Sequence, residues 1–185
     1  FLYGLLGGPH VAGWAAEKYQ RHPLFGPIVR LGGGTFIRRG EVDRSALAWA
    51  QDWLARGNVF GMAPEGTRSR TGTLARGKTG AAYLAHLAQV PIVPVGLSGT
   101  ENLTHSLLRL RRPHLTLRVG APFRLPPLDE QTRPRALRTQ TDEIMCRIAA
   151  LLPPAYRGVY ADHPRLLELL DRPPGADPSP GPPSP

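Results

Sequence analysis

Apolar positions recur along this chain at two periods. Between residues 45 and 56, Leu47, Ala50 and Leu54 fall at helical spacing and Gly57 follows as a natural stop, which predicts a helix. Residues 79–88 look helical too, with Ala82, Tyr83 and Leu87 able to share a face, and residues 137–152 predict the last long amphipathic helix. Short β-prone runs lie between them. Thr35-Phe36-Ile37 reads as a strand ending at Arg38 and Arg39, and residues 59–63 read as a buried strand closed by Pro64. Residues 91–97 form another apolar strand, whose Pro91 and Pro94 give it an edge or irregular placement because neither has a ladder donor. Residues 115–119 alternate around Arg118. Further upstream, 14–31 carries Trp14, Tyr19, Leu24, Phe25 and Ile28 among basic residues, broken into short pieces by His22-Pro23 and Gly26-Pro27. Strands alternating with helices predict an α/β fold, in which ligands usually gather beyond strand ends.

Composition refines this picture. A length of 185 residues suits one compact domain and hardly two. From Asp171 onward the chain is nearly all Pro, Gly, Ser and Asp, too poor in apolar area to offset its ordering entropy, so 171–185 is expected to be a disordered tail. Lys and Arg total 23 against 14 acidic residues, a formal net charge of +9. That excess attracts phosphorylated substrates, acidic lipid and nucleic acid alike, and composition does not choose among them. The single cysteine, Cys146, excludes an intrachain disulfide and any multi-cysteine metal site; its place in a helical apolar run makes it a core thiol. No run approaches the roughly eighteen apolar residues of a spanning helix, so membrane contact within this sequence is expected to be peripheral.

The passage richest in chemistry is Gly61-Met62-Ala63-Pro64-Glu65-Gly66-Thr67-Arg68-Ser69. It places a carboxylate, a glycine, two hydroxyls and a guanidinium directly after a predicted strand. Arg68 can hold two phosphate oxygens through its rigid fork, and Thr67 or Ser69 can add hydroxyl donors. Gly66 lets the backbone turn tightly or approach a ligand. Glu65 would repel a phosphate, so its sensible role is to fix an arginine or accept from a substrate hydroxyl. A surface turn with an Arg-Glu ion pair accounts for the same composition. Arg38 and Arg39 are solvated charges singly, but they thicken one positive site if their strand end lies beside this loop. Lys78 can join Arg68 around a phosphate, or it can be a solvated lysine at a helix start.

Three ordered blocks carry a resemblance. Gly34-Thr35-Phe36-Ile37-Arg38-Arg39, then Pro64-Glu65-Gly66-Thr67-Arg68-Ser69, then Val90-Pro91-Ile92-Val93-Pro94-Val95 together resemble the glycerolipid acyltransferase family, over roughly residues 14–100. The resemblance implies a single α/β domain with a central mixed sheet flanked by helices, here 1–170. It implies acyl transfer from acyl-CoA or acyl carrier protein to a hydroxyl of a glycerol phosphate-type acceptor, 1-acylglycerol-3-phosphate foremost, in phospholipid synthesis. By the same resemblance, Arg39, Glu65, Gly66 and Arg68 belong to the acceptor site and Pro94 shapes it or the acyl-chain entrance. The expected setting is the cytoplasmic side of a membrane, in peripheral contact with anionic lipid, with no bound cofactor, no metal and no nucleic-acid partner.

The chain departs from the family at one point. The family carries a histidine followed, after four residues, by an aspartate: the histidine takes the hydroxyl proton and the carboxylate orients its ring. Here His10 reaches Ala15 and His22 reaches Pro27; only His163 reaches a carboxylate, Glu168, far from the motif blocks. The chain starts at Phe1 rather than methionine, and truncation before the His-Asp block is expected, leaving this chain without its base.

Two other classes compete. Residues 72–79, Gly72 to Thr79, match the phosphate-loop pattern of nucleotide hydrolases, although the polar 65–71 segment separates them from the preceding strand. Arg109, Arg111 and Arg112, and again Arg133, Arg135 and Arg138, form basic clusters that suit nucleic acid or simple exposed charge.

Overall fold

The structure, a computed structural model, describes residues 10–16, 34–37, 44–66, 71–99, 112, 114–128 and 132–171. The predicted tail beyond Asp171 and most of 14–31 lie outside them. The chain divides into two compact units, Phe1–Ala63 with Leu87–Gln89, and Pro64–His86 with Val90–Pro185.

In the first unit, β1 (Val11–Ala16) lies between β2 (Gly34–Ile37) and β3 (Val59–Gly61) and runs parallel to both. Parallel neighbours need a crossover, and α1 (Arg44–Ala55) lies on the connection from β2 to β3. The hydrophobic pattern does not announce β1, because four of its six residues are Ala or Gly. Smallness is what the pairing uses: a Cβ on Gly13 would stand 2.9 Å from the Gly61 carbonyl oxygen. Helix α1 fulfils its prediction and buries Ala50 completely. Trp49 stacks on Trp53 at 5.4 Å and meets Phe60 edge-on, while Trp53 Nε1 donates to the Val59 carbonyl. Gly57, at φ 77°, ends the helix as expected. The strand predicted over 59–63 is shorter and more open, with Val59 46% exposed. It pairs with β1 alone among the described strands.

In the second unit, which holds all of α2 (Gly80–Ala88) but its last two residues, the helix buries Ala82, Leu84 and Ala85 rather than the predicted Ala82, Tyr83, Leu87 face. The reason lies at Tyr83, whose ring receives the Arg133 guanidinium at 5.6 Å and so stays partly exposed. Strands β4 (Val95–Ser98) and β5 (Thr116–Val119) pair antiparallel, and a bridge between Ile92 and Phe123 extends the ribbon. β4 has one partner among the described residues, in keeping with its edge placement. Helix α3 (Arg133–Ala150) begins ahead of its predicted start because Pro134 is well tolerated in a first turn. One side of α3 packs Ile144 with Ala82 and Phe123. Another packs Met145, Cys146 and Ala149 with Tyr160 and with Leu166 of α4 (Pro164–Asp171), a helix that the sequence reading did not anticipate. Two 3-10 turns, Pro154–Tyr156 and Gly158–Tyr160, join α3 to α4. Parallel and antiparallel pairing flanked by helices makes this an α/β fold.

Candidate acceptor-binding site

Gly66 adopts φ 66°, a conformation that L side chains rarely take, so the turn after Glu65 favours a glycine. The space beside Gly66 holds the far end of a flexible side chain. A Cβ there would lie 3.0 Å from Cδ, 3.2 Å from Cε and 3.3 Å from Nζ of Lys78. The outer half of the Lys78 side chain therefore rests along the Gly66 backbone, although twelve residues separate them. The Lys78 backbone is held from the same place, its N–H donating to the Pro64 carbonyl at 2.8 Å. Glu65 turns the other way along the loop and accepts from the Ala75 N–H through Oε2 at 2.8 Å. Its carboxylate thus braces the 71–78 segment. The sequence expectation was that Glu65 fixes an arginine or accepts from a substrate hydroxyl; this oxygen takes a backbone amide.

The loop is strapped a second time from α3 and the 3-10 turns. Gly77 donates its N–H to Tyr160 Oη at 3.1 Å and accepts at its carbonyl from Arg138 Nη1 at 2.7 Å. Tyr160 Oη in turn donates to Asp142 Oδ1 at 3.1 Å, and Arg138 grips both oxygens of Asp142. Gly77 is buried, with room for no Cβ: one would stand 2.6 Å from Met145 Cγ. Leu74 adds backbone bonds to both turns, donating to Tyr156 and accepting from Val159. Burial pushes the Tyr160 phenol above its ordinary range, and its hydrogen bond to Asp142 acts in the same direction. The hydrogen bond to Asp142 raises the Arg138 guanidinium further still.

These bonds dispose of the phosphate-loop reading. Such a loop works by turning several free N–H groups towards one anion. Here the N–H groups of Leu74, Ala75, Gly77 and Lys78 already donate to Tyr156, Glu65, Tyr160 and Pro64. The second basic cluster is likewise divided: Arg138 is paired with Asp142 and Arg133 lies over Tyr83. His163 and Glu168 do not form a catalytic pair. The His163 Nδ1 accepts from the Arg165 N–H at the start of α4, and Glu168 pairs with Arg165 at 2.8 Å.

The structure thus brings Glu65, Gly66 and Lys78 together. Arg38, Arg39, Thr67, Arg68 and Ser69 lie outside the described residues. Pro94 is buried in the ribbon, accepting from the Gly120 N–H at 2.9 Å. Sequence reasoning missed Tyr160 and Asp142, whose only hint was a tyrosine in a polar stretch and an acid one turn from an arginine. Among the described residues, no cluster of His, Cys, Asp or Glu could hold a metal, and no helix is long and apolar enough to cross a membrane.

Comparison with known proteins gives a consistent family. The 1-acyl-sn-glycerol-3-phosphate acyltransferase of Salmonella typhimurium is 39% identical over 83 residues, 43% of this chain and 34% of the relative. The Escherichia coli enzyme of the same name is 36% identical over 110 residues, 58% of this chain and 42% of its own length. Human 1-acyl-sn-glycerol-3-phosphate acyltransferase beta is 44% identical over 73 residues, 38% of this chain and 26% of its own. The chain therefore spans well under half the length of these relatives. A solved structure, the 1-acyl-sn-glycerophosphate acyltransferase PlsC of Thermotoga maritima, superposes with a TM-score of 0.50 at 24% identity, covering 74% of this chain and 56% of that one. That likeness carries the fold, an α/β sheet flanked by helices. The model of the Acyltransferase family matches residues 2–98, a span holding all three motif blocks, and on that match this chain belongs to the acyltransferase family.

Proposed function

We propose that this chain supplies the acceptor site of an enzyme that moves an acyl group from acyl-CoA or acyl carrier protein to a hydroxyl of a glycerol phosphate-type acceptor, 1-acylglycerol-3-phosphate, in phospholipid synthesis. The observation that carries the reading is the Lys78 side chain lying along Gly66, next to Glu65. An ammonium held at a glycine without a Cβ leaves room for a phosphate to approach both charge and backbone. Lys78 also stands two residues before α2, whose N-terminal dipole favours an anion. In this reading Arg39 and Arg68 are phosphate-binding residues, Arg38 is a further candidate, and Thr67 and Ser69 add hydroxyl donors. Glu65 keeps the loop in place and accepts from a substrate hydroxyl, and Pro94 shapes the acceptor site or the acyl-chain entrance.

Transfer further needs a base on the acceptor hydroxyl and donors for the carbonyl oxygen. The chain contains no histidine followed after four residues by aspartate, and its one His-x4-Glu caps α4. We therefore read 1–170 as an acyltransferase-like domain without its catalytic block and 171–185 as a Pro/Gly-rich tail. This chain binds the acceptor and does not turn it over. The net charge of +9 suits peripheral contact with anionic lipid on the cytoplasmic side of a membrane.

Calorimetric titration of sn-glycerol 3-phosphate, run beside an acyl-transfer assay on 1-acylglycerol-3-phosphate, tests both halves. Binding without transfer is expected, with Lys78→Met weakening binding by about 10-fold or more, the weight of one charge-assisted contact. Absence of binding would end the site assignment, and robust turnover by this chain would end the missing-base reading.

A further inference from the structure

Tyr160, Asp142 and Arg138 form a closed hydrogen-bond circuit around a single residue of the loop, Gly77. Asp142 can only accept when ionised, so the one proton of the Tyr160 hydroxyl points to it and an oxygen lone pair is left for the Gly77 N–H. Arg138 donates to Asp142 through Nε and Nη2 and to the Gly77 carbonyl through Nη1. Both polar atoms of Gly77 are thereby fixed from outside the loop. The next residue is Lys78, whose own N–H is held by Pro64 and whose side chain lies on Gly66. Neither Tyr160 nor Asp142 has a described bond to Glu65, Gly66 or the Lys78 side chain. Their route to the site runs through Gly77: Tyr160 holds its N–H, and Arg138 holds the carbonyl of the Gly77–Lys78 peptide.

We infer that Tyr160, Asp142 and Arg138 are positioning residues for the acceptor phosphate, setting where the Lys78 ammonium stands above Gly66. The inference rests on the acceptor-site reading given above. A circuit of this kind matters because a charged contact displaced by a fraction of an ångström loses much of its worth, and a lysine stem is otherwise free to wander. Tyr160→Phe removes the acceptor for a buried N–H while keeping the ring in its cluster with Met145 and Leu166. Gly77 then loses one of its two anchors.

The test measures sn-glycerol 3-phosphate affinity for wild type, Tyr160→Phe, Lys78→Met and the double variant, at a temperature where thermal melts show each fully folded. Glu143→Gln serves as the control: Glu143 binds Arg147 and Arg165 on the α4 side of α3, away from the loop, so its loss loosens the unit without touching Gly77. Tyr160→Phe is expected to weaken binding about fivefold to tenfold, to have no further effect in the Lys78→Met background, and to speed amide exchange at Gly77 and Lys78. Glu143→Gln should leave affinity at the wild-type value. Equal affinity of wild type and Tyr160→Phe, with Lys78→Met still weakened, overturns the positioning role alone. So does a Glu143→Gln loss as large as that of Tyr160→Phe, or an undiminished Tyr160→Phe effect in the double variant. A wild type that ignores glycerol 3-phosphate, or a Lys78→Met variant that binds as well as wild type, overturns the site reading first and the inference with it. If Tyr160→Phe does not fold, Asp142→Asn replaces it, with the same expected pattern.

Discussion

Asp142 and Glu143 are neighbours on α3, and each pairs with an arginine four residues away, Arg138 behind and Arg147 ahead. Successive helix positions point about 100° apart, so the two acids face different neighbours. Asp142 works with Tyr160 on the loop that carries Lys78. Glu143 accepts from Arg147 and from Arg165, which also pairs with Glu168, and so fastens α4 to α3. Both clusters look alike in sequence, an acid and an arginine at i, i+4. What differs is the third partner: in one case a peptide of the site loop, in the other a guanidinium on a helix that touches no proposed ligand. Like-looking pairs on one helix can thus serve positioning and stability separately.

The strongest way to break the loop side is Gly158→Ala. Gly158 sits at φ 52°, and a Cβ there would stand 2.0 Å from the Leu74 carbonyl oxygen. Left-handed strain and overpacking together are expected to cost about 3–5 kcal/mol, read as a lower urea midpoint. An unchanged midpoint would show that the turn carrying Tyr160 is not fixed to the loop. Glu143→Gln should cost less, about 1–3 kcal/mol at neutral pH, because Arg165 keeps Glu168. Its pH dependence is the sharper readout. Burial pushes the Glu143 carboxyl up, but the hydrogen bonds from Arg165 and Arg147 prevail and hold it below its ordinary value. A lowered value means that the stabilisation is complete above about pH 4.5, the unfolded value, and is lost as pH falls through the folded one. Wild type and Glu143→Gln should therefore converge in stability on acidification. A constant gap down to strong acid would remove Glu143 from the α4 clip.

The contrast between the clusters was only half legible in the sequence. Helix α3 shows in its apolar spacing and β5 in the alternation of Leu115, Leu117 and Val119 around Arg118, because both patterns are local. The three acyltransferase blocks are local strings too, which is why the family could be read from residues alone. Strand β1 was hidden, since Ala and Gly outnumber Val11 and Trp14 in it and leave little hydrophobic period to detect. The Gly77 circuit was hidden for another reason. Tyr160 is 83 residues from Gly77 and Arg138 is 61 away, and charge announces a sign but no partner. Arg138 consequently read as one more exposed cation.

The smallest expected effect separates the two sides at alkaline pH. Burial pushes the Cys146 thiol up to about 12, with Glu143 and Asp142 adding to the rise, and burial also raises the Tyr160 phenol. For both groups the folded chain favours the protonated form. Their contributions are then complete below the unfolded values, 9.0 and 10.0, and are lost as pH climbs beyond them, by no more than about 1.4 kcal/mol per pH unit for each group. The thiol shares the cluster with Leu166 of α4, so Cys146→Ala should flatten the decline that begins near pH 9, while Tyr160→Phe should flatten only the part above pH 10. Urea midpoints across this range distinguish the two. If Tyr160→Phe leaves the upper part as steep as in wild type, the phenol does not hold its proton for Asp142, and the geometry proposed to steady Lys78 loses its hinge.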